Sequence, residues 1–363
     1  MRKHILFLFA VVLMVACAPK EYEISGNIDA AYNEGAKIYI KERIDREWVS
    51  VDSADILKGS FTFKGVADSG RVVYLAFENQ DGDHFRKPFV LENGKISIAV
   101  DSLTRMTVSG TEQNEILSAY NAQKDAFYTK ANDEFQKLSA EVAADSSKAE
   151  SLNKRMEEIQ KEDVAFDVNF SVKNVNTIVG TFVFTTTFHG MSIDEKESIV
   201  NKMTDKTKTV KRVQEIIAAI ETEKKTAVGQ MYTDFSLPTP DGGMLALSEL
   251  VGKTDYVLVD FWASWCGPCI RSFPELKAFY QKHKGSKLAI YGVSLDDTDA
   301  NWRSAIDTYK LEWSHVSDLQ GWKSAGAALY AVNSIPATVL IDKDGKIVAR
   351  NFTVDQMDKL LSE

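Results

Sequence analysis

Hydrophobic and polar positions change rhythm three times along this 363-residue chain. From Ile24 to about Ser109 apolar residues come in short runs, the clearest being Lys37-Ile-Tyr-Ile40, Phe61-Thr-Phe63, Arg71-Val-Val-Tyr-Leu-Ala-Phe77, Pro88-Phe-Val-Leu91 and Lys95-Ile-Ser-Ile-Ala-Val100. Lys58-Gly59, Asp81-Gly82 and Asn93-Gly94 separate them, and the last has the form that closes a two-residue hairpin. Seven or eight short strands at this spacing predict an all-β sandwich over 24–110. From Glu112 the period becomes helical, and proline is absent between Pro88 and Pro238. Leu117, Tyr120, Lys124, Phe127 and Tyr128 mark one stripe, Leu152, Met156 and Ile159 a second, and Val213, Ile216, Ile217 and Ile220 a third. Asp145-Ser-Ser147 breaks the run. The Thr- and Phe-rich stretch Thr177 to Met191 reads as helix because its neighbours do. Residues 111–227 thus form an α-helical connector.

Beyond Val228 strands and helices alternate. Tyr256 to Trp262 is apolar except for Asp260, which suits a parallel strand covered on both faces. Ile270, Phe273, Leu276 and Phe279 then recur at helical spacing. Lys287 to Leu295 is a second buried strand. Trp302, Ala305, Ile306 and Tyr309 form a helix face capped by Asp299. Thr338–Ile341 and Ile347–Arg350 are strands turned at Asp344-Gly345, and Val354, Met357, Leu360 and Leu361 close with a helix. This alternation predicts an α/β domain over 228–363.

The first residues carry a different message. Arg2 and Lys3 precede the apolar run Ile5 to Val15, which is too short to span a bilayer and matches the core of a signal peptide, residues 1–16. Leu13-Met-Val-Ala16-Cys17 resembles a bacterial lipobox, with Met14 where that pattern prefers Leu. The resemblance implies cleavage after Ala16, lipidation of Cys17, a tether over 17–23 and a periplasm-facing, lipid-anchored place in the cell envelope. A net charge of −9 without a basic patch argues against nucleic acid. Three cysteines make no disulfide scaffold, and a closed zinc site needs about four ligands, so no metal is expected. No nicotinamide or flavin motif is present, so no cofactor is expected either.

The chemistry concentrates at Cys266-Gly267-Pro268-Cys269, between the Tyr256–Trp262 strand and the following helix. Two residues between cysteines at a helix start allow a small-ring disulfide. Cys266 at the helix N-terminus has its thiolate favoured by free N–H groups and the helix dipole. It is therefore the expected attacking thiol, exposed beside an aromatic surface of Trp262 and Trp265. Cys269, one turn inside, is the expected buried resolving thiol. Asp260 is a carboxyl in an apolar strand, with a pKa raised by burial and the ability to move the proton of Cys269.

Val259-Asp-Phe-Trp-Ala-Ser-Trp-Cys-Gly-Pro-Cys269 resembles the thioredoxin active-site signature. Pro274 falls where thioredoxins kink this helix, and Ile335-Pro336-Ala337-Thr338 is similar to the family's cis-proline loop, which binds substrate backbone. The resemblance covers 228–363. It implies a thioredoxin fold, client contact through Trp265, Gly267, Pro268, Ile335 and Pro336, disulfide-containing client proteins and a membrane-embedded redox partner. The segment after Asp299 to about Tyr330 is an insertion typical of TlpA/ResA-type thioredoxins. Many of those carry a glutamate just before the proline, where this chain has Ser272, which weakens any inference to cytochrome c maturation. The Gly-Pro dipeptide is that of thioredoxin and points to a reductant, near about −270 mV if it behaves like thioredoxin. Ile24-Ser-Gly-Asn-Ile28, Asp52-Ser-Ala54, Gly59-Ser-Phe-Thr-Phe-Lys-Gly65 and Val108-Ser-Gly-Thr111 resemble a β-rich domain of unknown function found ahead of thioredoxin domains in bacterial lipoproteins. Two rival functions remain at this point. A thiol peroxidase of peroxiredoxin type would place Thr or Ser three residues before its cysteine, where this chain has Ala263. A client- or ligand-binding lipoprotein would use the redox domain as an accessory.

Overall fold

The computed structural model describes residues 20–28, 36–44, 47–78, 84–102, 105–352 and 354–362. The expected signal peptide and Cys17 lie outside them. The described chain divides into two compact units, 1–190 with 202–207, and 191–201 with 208–363.

The first unit begins with eight strands: β1 (Tyr22–Ile28), β2 (Lys37–Ile44), β3 (Glu47–Asp55), β4 (Ser60–Gly65), β5 (Arg71–Glu78), β6 (His84–Leu91), β7 (Gly94–Ser102) and β8 (Arg105–Ser109). They make two four-stranded sheets, in the orders β4-β1-β7-β8 and β3-β2-β5-β6. Alternate residues such as Ile24, Ile38, Ile40, Val73, Leu75, Phe89, Ile96 and Ile98 point into one shared core, so the unit is a sandwich. The Asn93-Gly94 hairpin is corrected. β6 pairs with β5, whereas β7 pairs in parallel with β1 and antiparallel with β8, so the turn carries the chain from one sheet to the other. Asn93 instead bonds the backbone N–H and carbonyl of Ala67, at 2.8 and 2.9 Å.

Three helices complete this unit: α1 (Glu112–Ala144), α2 (Ala149–Lys173) and α3 (Ile178–Thr187). The Thr177–Met191 stretch is thus mainly helical, started by the Thr177 hydroxyl accepting from the Gly180 N–H at 3.0 Å. Leu117, Val179 and Val183 join the sandwich core. Asn114, fully buried on α1, bonds both the N–H and the carbonyl of Val90 on edge strand β6 at 2.8 Å, occupying ladder groups that an edge leaves open. The connector is therefore shared: α4 (Ile193–Val200) and α6 (Lys211–Lys225) belong to the second unit, and the four-residue α5 (Asp205–Lys208) lies at the division.

In the second unit β11 (Tyr256–Trp262) is the middle strand of a five-stranded sheet. After the short hairpin β9 (Ser236–Pro238) and β10 (Met244–Ala246), the chain runs β11, α7 (Gly267–His283), β12 (Leu288–Ser294), α8 (Asp299–Tyr309), β13 (Ser314–Val316), α9 (Ala325–Leu329), β14 (Ala337–Asp342), β15 (Ile347–Arg350) and α10 (Val354–Ser362). The sheet order is β13-β12-β11-β14-β15, parallel from β13 to β11 and antiparallel beyond. This is the thioredoxin-like arrangement. The expected cap of α8 is corrected: Thr298 precedes the helix, and Asp299 instead takes a hydrogen bond from Arg303 Nε one turn on, at 2.6 Å. Arg350, largely buried at the end of β15, donates to the Thr226 carbonyl at 2.6 Å, the Thr226 hydroxyl at 2.7 Å and the Tyr330 carbonyl at 2.7 Å. It fixes the residue that ends α6 onto the sheet.

Candidate active site

The residues preceding the cysteines are held from below. Val257, Leu258, Val259, Phe261 and Trp262 of β11 are all buried, because neighbouring strands cover both edges and side chains cover both faces. Trp262 packs edge-on against Phe273 of α7, with ring centroids 5.5 Å apart. Side chains alternate across a strand, so Asp260 shares that face with Trp262. Asp260 is buried, and burial alone pushes its pKa up to about 7. The expected shift and its cause are both present.

After Trp262 the chain leaves the sheet and enters α7 through the cysteine loop. Cys266 stands at the N-cap of α7, with Pro268 in the first turn. Its Sγ accepts the Cys269 N–H at 3.2 Å, so an unpaired helix donor is aimed at the sulfur where a thiolate would form. Cys266 and Cys269 are joined as a disulfide. One expectation is corrected here. Cys266 is only 4% exposed against 1% for Cys269, so burial hardly separates the two, and Cys266 differs by its helix-end position. Trp262 is likewise fully buried, because it faces α7, and of the two expected surface tryptophans only Trp265 is exposed. Pro268 is exposed and Gly267 half-buried. The Ile335–Pro336 peptide is cis. Ala337 pairs with Phe261, so the register sets Pro336, itself exposed, beside the exit of β11.

Two features of the site escaped the sequence reading. Asp296, buried just past β12, accepts hydrogen bonds from the Ser264 N–H at 3.0 Å, the Ser264 hydroxyl, and the Ser294 hydroxyl at 2.7 Å. It anchors the loop two residues before Cys266. Its signal was an acid directly after an apolar strand, masked by the acidic run Asp296-Asp297-Thr298-Asp299. The second is His315 on β13. It stands in one transverse row with Gly292, Asp260 and Thr338, each in register with the next. Its Nδ1 lies 2.7 Å from where a Gly292 Cβ would sit, so only glycine leaves the imidazole its place. Neither ring nitrogen makes a hydrogen bond, although the Leu311 carbonyl favours the charged ring slightly, and burial holds the pKa down to about 3. Among the described residues no group of three or more His, Cys, Asp or Glu side chains is placed to hold a metal ion.

Residues 228–350 match the AhpC/TSA family profile, and residues 22–117 match a domain of unknown function, DUF4369. The thiol-disulfide oxidoreductase ResA of Bacillus thuringiensis (strain Al Hakam) is 32% identical over 126 residues, which are 35% of this chain and 70% of that protein. The chain belongs to the ResA family of thiol-disulfide oxidoreductases. The thioredoxin-like protein YneN of Bacillus subtilis (strain 168) is 36% identical over 122 residues, 33% of this chain and 68% of that one. Among solved structures, a thiol-disulfide oxidoreductase from Bacteroides fragilis NCTC 9343 is 33% identical, covering 36% of this chain and 99% of that one at a TM-score of 0.34. The activity of this member is thiol–disulfide exchange. Among the described residues no helix is long and apolar enough to cross a membrane.

Proposed function

We propose that this oxidoreductase is a reductant of client disulfides in the cell envelope, held there by a lipid on Cys17 and working through Cys266 and Cys269. The observation that carries the chemistry is the disulfide at the N-terminus of α7, with the Cys269 N–H directed at Cys266 Sγ. In the reduced enzyme the Cys266 thiolate attacks a client S–S bond. A mixed disulfide forms and one client thiolate leaves, taking up a proton. Cys269 gives its proton to the Asp260 carboxylate and attacks Cys266 Sγ, and the second client sulfur departs as a thiolate that takes up that proton from Asp260 to become a thiol. The client has gained two electrons and two protons, and the enzyme is left with its Cys266–Cys269 disulfide. A membrane-embedded dithiol partner then returns two electrons by the same exchange run in reverse.

Trp265, Gly267, Pro268, Ile335 and Pro336 form the client-contacting rim in this reading. The boundaries at 24, 111 and 228 are taken to separate the sandwich, the connector and the redox domain in the chain's organisation. The AhpC/TSA match keeps peroxide as a second candidate substrate, but Ala263 occupies the place where peroxiredoxins carry a hydroxyl. Full-length protein kept reduced by dithiothreitol should reduce protein disulfides with turnover and leave hydrogen peroxide at the background rate. Peroxide consumption dependent on Cys266, without disulfide reduction, would reverse the assignment.

A further inference from the structure

We propose that Trp322 joins Trp265 in an aromatic wall beside the disulfide, and that this wall selects clients carrying a large apolar side chain next to the attacked cysteine. The inference deepens the exchange reading above and rests on it. The second unit holds five tryptophans, and three of them, Trp262, Trp302 and Trp313, are buried. The two that are half exposed, Trp265 at 50% and Trp322 at 48%, are the two whose rings meet, at 6.0 Å between centroids and 53° between planes. Trp265 is the residue before Cys266. Indole surface left in water gains nothing for folding, whereas a desolvated tryptophan is a common anchor of an interface.

The segment carrying Trp322 is fixed in place. It is a 3-10 turn over Gly321–Lys323, and both Leu319 and Gly321 have left-handed backbone, with φ of +54° and +55°. Such a conformation in leucine needs support from its surroundings. Asp318 supplies it by accepting the Gln320 N–H at 3.3 Å and the Ala325 N–H at 2.8 Å. Ser317 accepts the Leu319 N–H at 3.1 Å and donates to the Ser294 carbonyl at 3.0 Å, at the end of β12. The Leu295 N–H in turn bonds the Trp262 carbonyl at 2.8 Å. The turn is therefore tied to the same strand ends that carry the cysteine loop, and the wall is set before any client arrives.

Charge narrows the partner further. Arg271 is exposed on α7 and lies against the loop, with Nη1 3.4 Å from where a Gly267 Cβ would sit. It forms no ion pair among the described residues, in a chain whose net charge is −9. A client carboxylate near the cysteine would meet a guanidinium with open donors. The matching partner is an extended segment with an aromatic or large aliphatic residue beside its cysteine and an acidic residue within reach of the loop.

The test uses the full-length enzyme and peptide disulfides that differ only in Trp or Ala beside the cysteine, each made with Glu or Gln nearby. The Trp peptide should have a kcat/KM about fivefold higher, the scale of one aromatic contact. Trp322→Ala should bring that ratio close to one, and Trp322→Phe should keep most of it. Arg271→Gln should erase only the preference for Glu. Equal rates for the Trp and Ala peptides, or a ratio unchanged in Trp322→Ala, would overturn the wall while leaving the oxidoreductase intact. If neither peptide is reduced, the reductant direction fails. The same peptides offered as dithiols to the oxidised enzyme then give the ratio that decides.

Discussion

Replacing Asp260 by asparagine removes the one carboxyl group of β11 while keeping its shape. The oxidised protein should respond through proton linkage. Burial raises the carboxyl from its ordinary value of 3.8 to about 7. Between those values the native state holds a proton that the unfolded chain has released, so stability falls as pH rises through this window. The loss should level off above pH 7, when both states are ionised. Three units correspond to at most about 4 kcal/mol, of which about 2–3 kcal/mol falls between pH 5 and pH 8. His315 works in the opposite sense, because a ring held neutral down to about 3 costs stability as pH falls below its usual range. Parent and variant share His315, so their difference isolates Asp260. Urea unfolding of oxidised parent and Asp260→Asn at pH 5 and pH 8 should show the variant gaining about 2–3 kcal/mol relative to the parent over that interval. In single-turnover reduction of a client disulfide, the same variant should form the mixed disulfide normally and resolve it more slowly. A stability difference independent of pH would refute the buried-proton argument. Unchanged resolution would refute its use in the reaction.

Three further outcomes follow from the site. Cys269→Ala expressed in its native envelope should accumulate mixed disulfides that reductant dissolves, and Cys266→Ala should accumulate none; equal trapping by both would reverse the roles. Cys17→Ser should move the protein from the membrane fraction to the soluble one, and retention in the membrane would rule out the lipid anchor. Asp296→Ala leaves the half-buried Ser264 N–H and the buried Ser294 hydroxyl without their acceptor, so unfolding should show a loss of about 2–3 kcal/mol. Attack by Cys266 should slow as its loop loosens, and a variant as stable and as fast as the parent would show that Asp296 does not hold the loop.

What could be read from the sequence was local or written in residue type. The lone acid in an apolar strand revealed Asp260, and the cysteine spacing at a helix start revealed the disulfide. Exposure was not written there. Trp262 and Trp265 look alike in the sequence, yet one faces α7 and the other water, because the strand ends between them. Long-range pairing was equally hidden. Asn93-Gly94 has hairpin chemistry, but the free edge of β6 is met at Val90 by Asn114 of α1 rather than by β7. β7 found β1, more than sixty residues back. The half-exposed strand β3 gave no clear apolar alternation. Asp296 sat in an acidic run whose neighbour Asp299 offered a simpler explanation, and the importance of Trp322 rests on a ring contact across nearly sixty residues.

Arg350 is the last residue of the region shared with the AhpC/TSA family, and it reaches back to Thr226, two residues before that region begins. The inherited segment and the folded body therefore do not share a border. Grafting residues 228–350 onto another leader would carry a largely buried guanidinium away from two of its three acceptors, the Thr226 carbonyl and hydroxyl. A chimera joined ahead of α4 would keep that grip. The seam for exchanging this redox domain lies in the helices, upstream of where the AhpC/TSA match starts.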